Sequence, residues 1–446
     1  MSYTEAIAQL NSLVPELYAN PGQPRRRFSV DEVRILLDAV GNPQQHFPSV
    51  LIAGTNGKGS TASTLASILS EAGLRTGLYT SPHLERPNER IRLGQKEIAD
   101  DDFARLYFRV HDAGQQLLLS GRLTQLPSYF EIITALAFLH FAENKVEVAV
   151  LEVGMGGRLD ATNVVDPLLS IVTDISLDHM EWLGPTISAI AREKAGILRR
   201  GGTMITLPQH PEANQVLGEV ATELGVRGVS AVPFVPAAGT TDSYAVDVFG
   251  AIVKVDSPLA GAHQQRNIAL AIAAAVELAE HHGFPIMPSA IENGVHRTRW
   301  PGRLERITKN GVEWVLDVAH NPAGAWALRA AARGILESHQ PRLLVFSCLR
   351  DKPLGEMAQI LFPLFDEVIV APIQNARAAA LDDLLAAAAA TGTPATAADS
   401  VSEALRLAAQ RINGNRAGSG IAVVSGSVYL VGEARTLLVS ASSEPL

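Results

Sequence analysis

A chain of 446 residues, 47% apolar and 19% charged, is long enough for two or three domains, each with its own core. A formal net charge of −9 without a Lys/Arg-dense face argues against a duplex nucleic-acid binder, and no apolar run approaches the ~18–20 residues of a membrane span. The single cysteine, Cys348, excludes an internal disulfide and a cysteine-based zinc site, and with no basic-then-apolar leader at residues 1–10 a cytoplasmic location is expected.

Residues 1–48 read as two short helices. Between them, ANPGQPRRRF (19–28) is a Pro/Gly turn followed by three arginines, either a solvated basic turn or a contact to an anionic substrate. Residues 49–73, SVLIAGTNGKGSTASTLASILSEAG, then organise the chain. An apolar strand (49–53) leads into a turn with Gly54, Gly57, Gly59 and Lys58, carrying hydroxyls at Thr55, Ser60 and Thr61. A helix follows, with a stripe of Ala62, Leu65, Ala66 and Leu69, closed by Gly73. Strand, glycine turn and helix N-terminus aim N–H groups and a positive dipole end at one point, which suits a phosphate. Lys58 adds a mobile cation for the β/γ-phosphates, and a first-turn hydroxyl can reach Mg²⁺. The strict G-x-x-x-x-G-K-[ST] spacing is not met: Ile52 stands at the first glycine position, and Gly59 follows Lys58. A glycine-rich turn with a surface lysine is the plainer reading of this stretch alone.

Beyond it, strand-like TGLYTS, EVAVLE and LLSIVTDIS alternate with helix-like FEIITALAFLHFAE and TISAIAREKAGILRR, the pattern of a parallel sheet wound with helices. After Gly202 come another strand–helix pair, a hairpin-like stretch over 243–255 and an Ala-rich helix over 267–280. RTRWPG (297–302) reads as a linker, after which the alternation restarts with VEWVLDV, a helix over 325–336, LLVFSCL, a helix near 355–364, EVIVAPI and IAVVSGS. The expected fold is α/β: a P-loop-type doubly wound sheet ATPase domain (1–297) plus a smaller Rossmann-like C-terminal α/β domain (298–446). Residues 378–398, rich in alanine with a few Leu, Thr and Asp, read as helix-compatible surface.

In open α/β sheets, ligands sit at the carboxyl ends of strands. Unusual polar residues fall there: Ser81 and His83 after TGLYTS, Glu152 before Gly154, Gly156 and Gly157, and Asp174, Asp178 and His179 after LLSIVTDIS. Ser60, Ser81, Glu152 and His179 offer ligands for one or two Mg²⁺ ions, although each alone also reads as an ordinary rim residue. Lys194 falls on the apolar stripe of Ile187, Ile190 and Ala191. A lysine there either snorkels to solvent or, if buried, has a lowered pKa and takes up CO₂ as a carbamate. In the second half, DVAHNP places Asp317, His320 and Asn321 at a strand end, with Pro322 suited to a helix first turn. Arg303 is a candidate phosphate clamp, and Asn267 either caps its helix or reads an adenine edge.

GTNGKGS, SPHL with NERIR, SYFE, LEVGMGGRLDATN, LDHMEWLG, AREKAGI, HQQRN, GRLE and DVAHNP occur in that order. Together they resemble folylpolyglutamate synthase/dihydrofolate synthase, within the Mur-ligase superfamily of ATP-dependent amide-forming ligases, from about residue 49 to the C-terminus. The resemblance implies a two-domain enzyme of folate biosynthesis and one-carbon metabolism with ATP in the cleft. Thr55, Asn56, Gly57, Lys58 and Gly59 would cradle the phosphates with Ser60 nearby. Ser60, Ser81, Glu152 and His179 would ligate magnesium together with a carbamylated Lys194, with a monovalent cation as a further candidate. Asn267, Arg303 and Asp317 would complete the nucleotide site. Ser128, Tyr129, Phe130 and Glu131, with Leu159, Asp160 and Ala161, match positions that hold the pterin substrate. His320 and Ser425 would position the incoming glutamate.

The implied partners are therefore ATP, L-glutamate and a folate or dihydropteroate, with no nucleic acid, no membrane and a monomeric chain. One departure concerns the second activity. Bifunctional members often carry an IDLGLERV-like segment before the phosphate loop, where this chain reads RRRFSVDEVRILLDAVGNP. A monofunctional folylpolyglutamate synthase is the alternative within the family. A peptidoglycan-precursor ligase needs a further N-terminal domain, for which 48 residues before the loop are too few. A nucleotide-hydrolysing regulatory protein would explain residues 49–73 but not DVAHNP.

Overall fold

The computed structural model describes residues 2–13, 29–237, 239–240, 243–414 and 419–439. The arginines at 25–27 lie outside the described residues. The chain divides into two compact units, one formed by Met1–Pro82, Pro87–Pro258 and Gln265–Thr298, the other by His83–Arg86, Leu259–Gln264 and Arg299–Leu446.

The first unit is built on eight strands: β1 (Ser49–Ala53), β2 (Thr76–Tyr79), β3 (Ile91–Leu93), β4 (Lys96–Glu97), β5 (Val148–Glu152), β6 (Leu169–Val172), β7 (Thr203–Thr206) and β8 (Arg227–Ser230). Their order in the sheet is β4-β3-β2-β5-β1-β6-β7-β8. The six from β2 to β8 run parallel, and β3 and β4 add antiparallel edges. A separate antiparallel hairpin joins β9 (Ser243–Val248) to β10 (Ala251–Asp256). Among the described residues, ten helices accompany these strands: α1 (Tyr3–Ser12), α2 (Val30–Ala39), α3 (Lys58–Glu71), α4 (Asp100–Leu119), α5 (Tyr129–Glu143), α6 (Met180–Leu183), α7 (Ile187–Ala195), α8 (Pro211–Leu224), α9 (Ala262–His282) and α10 (Pro288–Arg297).

Strand pleating distributes the core. Along β1, Val50 and Ile52 join one apolar cluster with Leu65 of α3, Ile268 of α9 and Ile291 of α10, whereas Leu51 and Ala53 join a second with Tyr107 of α4 and Phe138 of α5. The sheet is thus covered on both faces, which is why its central strands carry no polar alternation. The stripe expected on α3 is not a stripe: every residue from Gly59 to Leu69 is buried, so Ser60, Thr61, Ser63, Thr64 and Ser67 lie inside as well. Helix α9 also departs from expectation. It begins at Ala262, which puts Asn267 in its second turn and removes a capping role.

The second unit has β11 (Glu305–Lys309), β12 (Val312–Asp317), β13 (Arg342–Phe346), β14 (Glu367–Val370), β15 (Ala395–Ala397) and β16 (Ile421–Ser425), ordered β11-β12-β16-β13-β14-β15. All pairs are parallel except β11 with β12, a hairpin turned at Asn310 and Gly311 whose first strand is not among those read from the sequence. Helices α11 (Pro322–Leu336), α12 (Leu354–Leu361) and α13 (Leu381–Thr391) cover one face; α14 (Val401–Gly414) and α15 (Val428–Val439) cover the other. The alanine-rich stretch is not plain surface: Ala379, Leu384, Ala388 and Ala398 are buried, and it includes α13 and β15.

Candidate functional site

In the first unit, β2, β5, β1 and β6 lie side by side and parallel, so their carboxyl ends bring four loops together. The turn after β1 needs glycine twice. Gly54 has φ +153° and a Cβ there would stand 1.7 Å from Thr173 Oγ1; Gly57 has φ +89° and a Cβ would stand 2.1 Å from Asn267 Oδ1. Asn267 therefore packs its amide directly on the turn.

The turn is held by the segment after β6. The Asp174 carbonyl accepts the N–H groups of Thr55 (2.9 Å) and Asn56 (3.2 Å). Thr55 Oγ1 donates to Ser176 O and accepts from Ser176 N, both at 3.1 Å. The first two N–H groups of the turn are thus spent internally, and the donors suited to an anion are those of the first turn of α3, capped by no side chain. Ser60 in that turn is 1% exposed, and its Oγ has no hydrogen-bond partner among the described residues.

Two lysines converge on one acceptor. Lys58 Nζ donates to Gly54 O and Thr55 O, both at 3.1 Å, and Lys194 Nζ, from α7, donates to Gly54 O at 2.7 Å. Lys194 is 4% exposed. Burial first, and then the charge of Lys58, pull its pKa from 10.5 down to about 7, against the opposing pull of Asp178 and Asp160. The snorkelling alternative is excluded. Glu152, at the end of β5 and 4% exposed, accepts the Ser81 N–H at 3.1 Å. His179 caps α6 in the left-handed region (φ 51°), with its N–H bonded to Asp178 Oδ1 at 2.9 Å. Among the described residues no three His, Cys, Asp or Glu side chains form a ready-made metal cluster. The donors that fit a hard cation here are the orphaned Ser60 hydroxyl and the buried Glu152 carboxylate.

The positions matched to the pterin substrate divide by task. Ser128 and Glu131 form a reciprocal capping box at the start of α5 (2.7 and 3.3 Å), both buried. Phe130 is core, with its ring filling the space beside Gly154. Asp160 accepts from Met155 N and from Thr162 N and Oγ1, tying down the glycine-rich loop, while burial pushes its carboxyl upward against those bonds. Ala161 is buried; only Tyr129 and Leu159 retain surface. Leu159 lines a cavity of about 530 Å³ together with Ser29, Val30, Asp31 and Arg34, so the segment that departs from the family pattern does face a cavity.

In the second unit, Asp317 ends β12, and its carboxylate accepts the N–H groups of Leu304 and Ala319, both at 3.0 Å. Burial raises its pKa, opposed by the charges of Arg303 and His263. Arg303 donates to Gly302 O, and His320 Nδ1 lies 2.9 Å from Val318 O. Asn321 caps α11 through Gly324 N, with Pro322 in the first turn. Ser425 pairs in register with Asp317 across β12–β16 and with Phe346 across β13–β16. Its Oγ and that of neighbouring Ser347 are buried without a hydrogen-bond partner among the described residues.

Two family models match: the Mur ligase middle domain over residues 52–275, and the Mur ligase glutamate ligase domain over 302–428. A folylpolyglutamate synthase of Lacticaseibacillus casei is 38% identical over 383 residues, covering 84% of this chain and 86% of that one. The chain belongs to the folylpolyglutamate synthase/dihydrofolate synthase family of Mur ligases. A dihydrofolate synthase/folylpolyglutamate synthase of Mycobacterium tuberculosis is 34% identical over 92% of the ligase and 90% of its own length. The crystal structure of the Mycobacterium tuberculosis folylpolyglutamate synthase complexed with ADP and AMPPCP superposes with a TM-score of 0.87 at 31% identity, covering 99% of the ligase and 100% of that chain. The E. coli FolC complex with DHPP and ADP gives 0.81 at 29% identity, covering 98% and 97%.

Three residues of the ligase escaped the sequence reading. Arg90, noted only as part of NERIR, is 9% exposed, with its guanidinium 5.2 Å above the Tyr129 ring. Ser347 is, like Ser425, a hydroxyl closing an apolar strand, a signal that was available in LLVFSCL. Arg266, inside HQQRN, pairs with Asp174.

Proposed function

We propose that the ligase adds L-glutamate to folates in a reaction coupled to ATP cleavage, and that it also makes dihydrofolate from dihydropteroate and L-glutamate. The observation that carries this reading is the glycine turn at Gly54–Ser60 flanked by buried Lys194 and Glu152, a phosphate site with acidic and basic groups already desolvated beside it. A carboxylate and an amine do not condense at neutral pH because oxide is a poor leaving group. Transfer of the γ-phosphoryl of ATP to the substrate carboxylate gives an acyl phosphate; the glutamate amine then attacks and phosphate leaves.

Each side chain has a part in that sequence. The first-turn N–H groups of α3 and the mobile Lys58 hold the β- and γ-phosphates, and Lys58 stabilises charge on the moving phosphoryl. Asn267, packed on Gly57, is the residue of the first unit suited to contact the nucleotide; in the second unit the family resemblance assigns that part to Arg303 and Asp317. Ser60, Ser81, Glu152, His179 and Lys194 would hold Mg²⁺, which when bound neutralises developing phosphate charge. Lys194 meets the requirement for carbamylation: with a pKa of about 7 a large share is neutral amine, able to take up CO₂. Tyr129 and Leu159 offer the exposed apolar surface for a pterin, and the cavity shared by Leu159 and Ser29 extends it. His320 and Ser425 orient the incoming glutamate.

The test is ADP release by the purified protein. The reading requires release that depends on both a folate (or dihydropteroate) and L-glutamate, with product masses raised by one glutamyl unit. Nucleotide hydrolysis indifferent to both would overturn it. Product from tetrahydrofolate but none from dihydropteroate would leave the monofunctional alternative.

A further inference from the structure

The turn that holds phosphate is not self-supporting. Its Thr55 and Asn56 N–H groups both end on the Asp174 carbonyl, and Asn56 Nδ2 reaches Ser176 Oγ at 3.3 Å. Whatever fixes Asp174 therefore fixes the turn. Asp174 lies outside helix and strand, between Thr173, whose N–H bonds Ala53 O at 2.9 Å, and Ile175, whose N–H bonds Gln209 Oε1 at 2.7 Å; the orientation of Asp174 itself is set by a further tie on its side chain.

Arg266 supplies that tie. From α9 it grips the Asp174 carboxylate in a fork, Nε to Oδ2 at 3.0 Å and Nη2 to Oδ1 at 2.5 Å, and Nη2 also donates to Pro208 O at 3.0 Å beyond β7. A planar guanidinium meeting a carboxylate at two points fixes orientation as well as distance, which a lysine ammonium does not. The next residue on α9 is Asn267, whose amide packs on Gly57. One short piece of helix thus meets the turn from two sides: Asn267 by direct contact and Arg266 through Asp174.

We propose that Arg266 is a positioning residue for nucleotide binding, acting through Asp174 to hold the backbone of the phosphate turn; this rests on the reading of that turn as the ATP site. The side chains are 31% and 41% exposed, so the pair feels salt, and its effect is moderate.

The experiment titrates wild type, Arg266→Gln, Asp174→Asn and the double variant with Mg·ADP by calorimetry, and measures KM for ATP and for the folate substrate. Either single change is expected to weaken ADP binding about threefold to tenfold, with the double variant no weaker than the single ones because both remove the same tie. KM for ATP rises in parallel, KM for the folate stays put, and Arg266→Lys recovers only part of the loss. Added salt narrows the gap between wild type and variant. If wild type binds ADP and Arg266→Gln binds it equally well, the proposal fails while the ATP site stands. Additive losses in the double variant, or equal rises in both KM values, would also overturn it. A wild type that does not bind ADP removes the site reading and the proposal together.

Discussion

Lys58 and Lys194 donate to the same oxygen, the carbonyl of Gly54, which opens the glycine turn after β1. One of two neighbouring cations must bear the cost of their repulsion, and it falls on Lys194 because that amine is the more buried. This gives its titration a consequence for the whole fold. In the unfolded chain Lys194 releases its proton near 10.5, in the fold near 7. Below about 7 both states hold the proton, and burying the charge destabilises the fold in full. Between the two values the unfolded state binds more protons, so this contribution to stability rises with pH until the penalty is gone above 10.5. In metal-free, CO₂-free buffer, Lys194→Met should be more stable than wild type to urea at and below pH ~7, with the gap closing as pH approaches 10.5. A gap that does not change with pH would contradict this account.

Removing the Lys194 side chain should also remove activity. Lys194→Ala is expected to lose glutamate-dependent ADP release, which bicarbonate does not restore and which acetate restores in part by standing in for a carbamate. Full activity in Lys194→Ala would end the carbamate role.

Glu152 is buried at the end of β5 and accepts the backbone N–H of Ser81. Glu152→Gln keeps that bond and removes the charge. The Mg²⁺ concentration needed for half-maximal rate should rise about tenfold or more while the folate KM moves by less than about twofold. The reverse pattern would put Glu152 against the pterin.

Gly57→Ala tests the turn itself. A left-handed φ costs an L-residue about 1–2 kcal/mol, and the new methyl would meet the Asn267 amide. ADP binding should weaken by at least about tenfold, read by the same calorimetry. Unchanged affinity would mean that the turn relaxes freely and is not the holding element described above.

Much of this was legible in the sequence, and the reasons for the remainder are physical. Strands β1, β5 and β16 stood out because central parallel strands are apolar without interruption. The hairpin partner β11 and the edge strands β3 and β4 did not, because half-exposed edges alternate weakly and include charges. On α3 the apolar stripe was an artefact of reading small hydroxyls as polar surface; Ser60, Thr61 and Thr64 are small enough to pack inside. The start of α9 was misplaced because GAHQQR offers no cap and reads as loop. Lys194 was found from spacing alone, since a lysine on the face of Ile190 and Ala191 has few places to go. Arg266 was missed because a charged residue at the end of a loop-like stretch reads as solvated until its partner from another segment is known.

The capping box at Ser128 separates structure from substrate contact in one motif. Ser128→Ala should lower stability by about 1 kcal/mol, seen as a lower urea midpoint, and leave the folate KM unchanged. Tyr129→Ala should do the opposite. A raised folate KM in Ser128→Ala at unchanged stability would return that serine to the substrate site.

Cys348, at the end of the β13 run, is fully buried, and burial raises its thiol to about 12. It is the one thiol in the chain, and it sits in the second unit. Native protein should therefore resist disulfide reagents, and each labelling event should record an opening that exposes the core of the glutamate-ligase half. The enzyme carries a built-in chemical reporter: without any substitution, the rate of thiol labelling would tell whether that half opens by itself or only when the whole molecule unfolds.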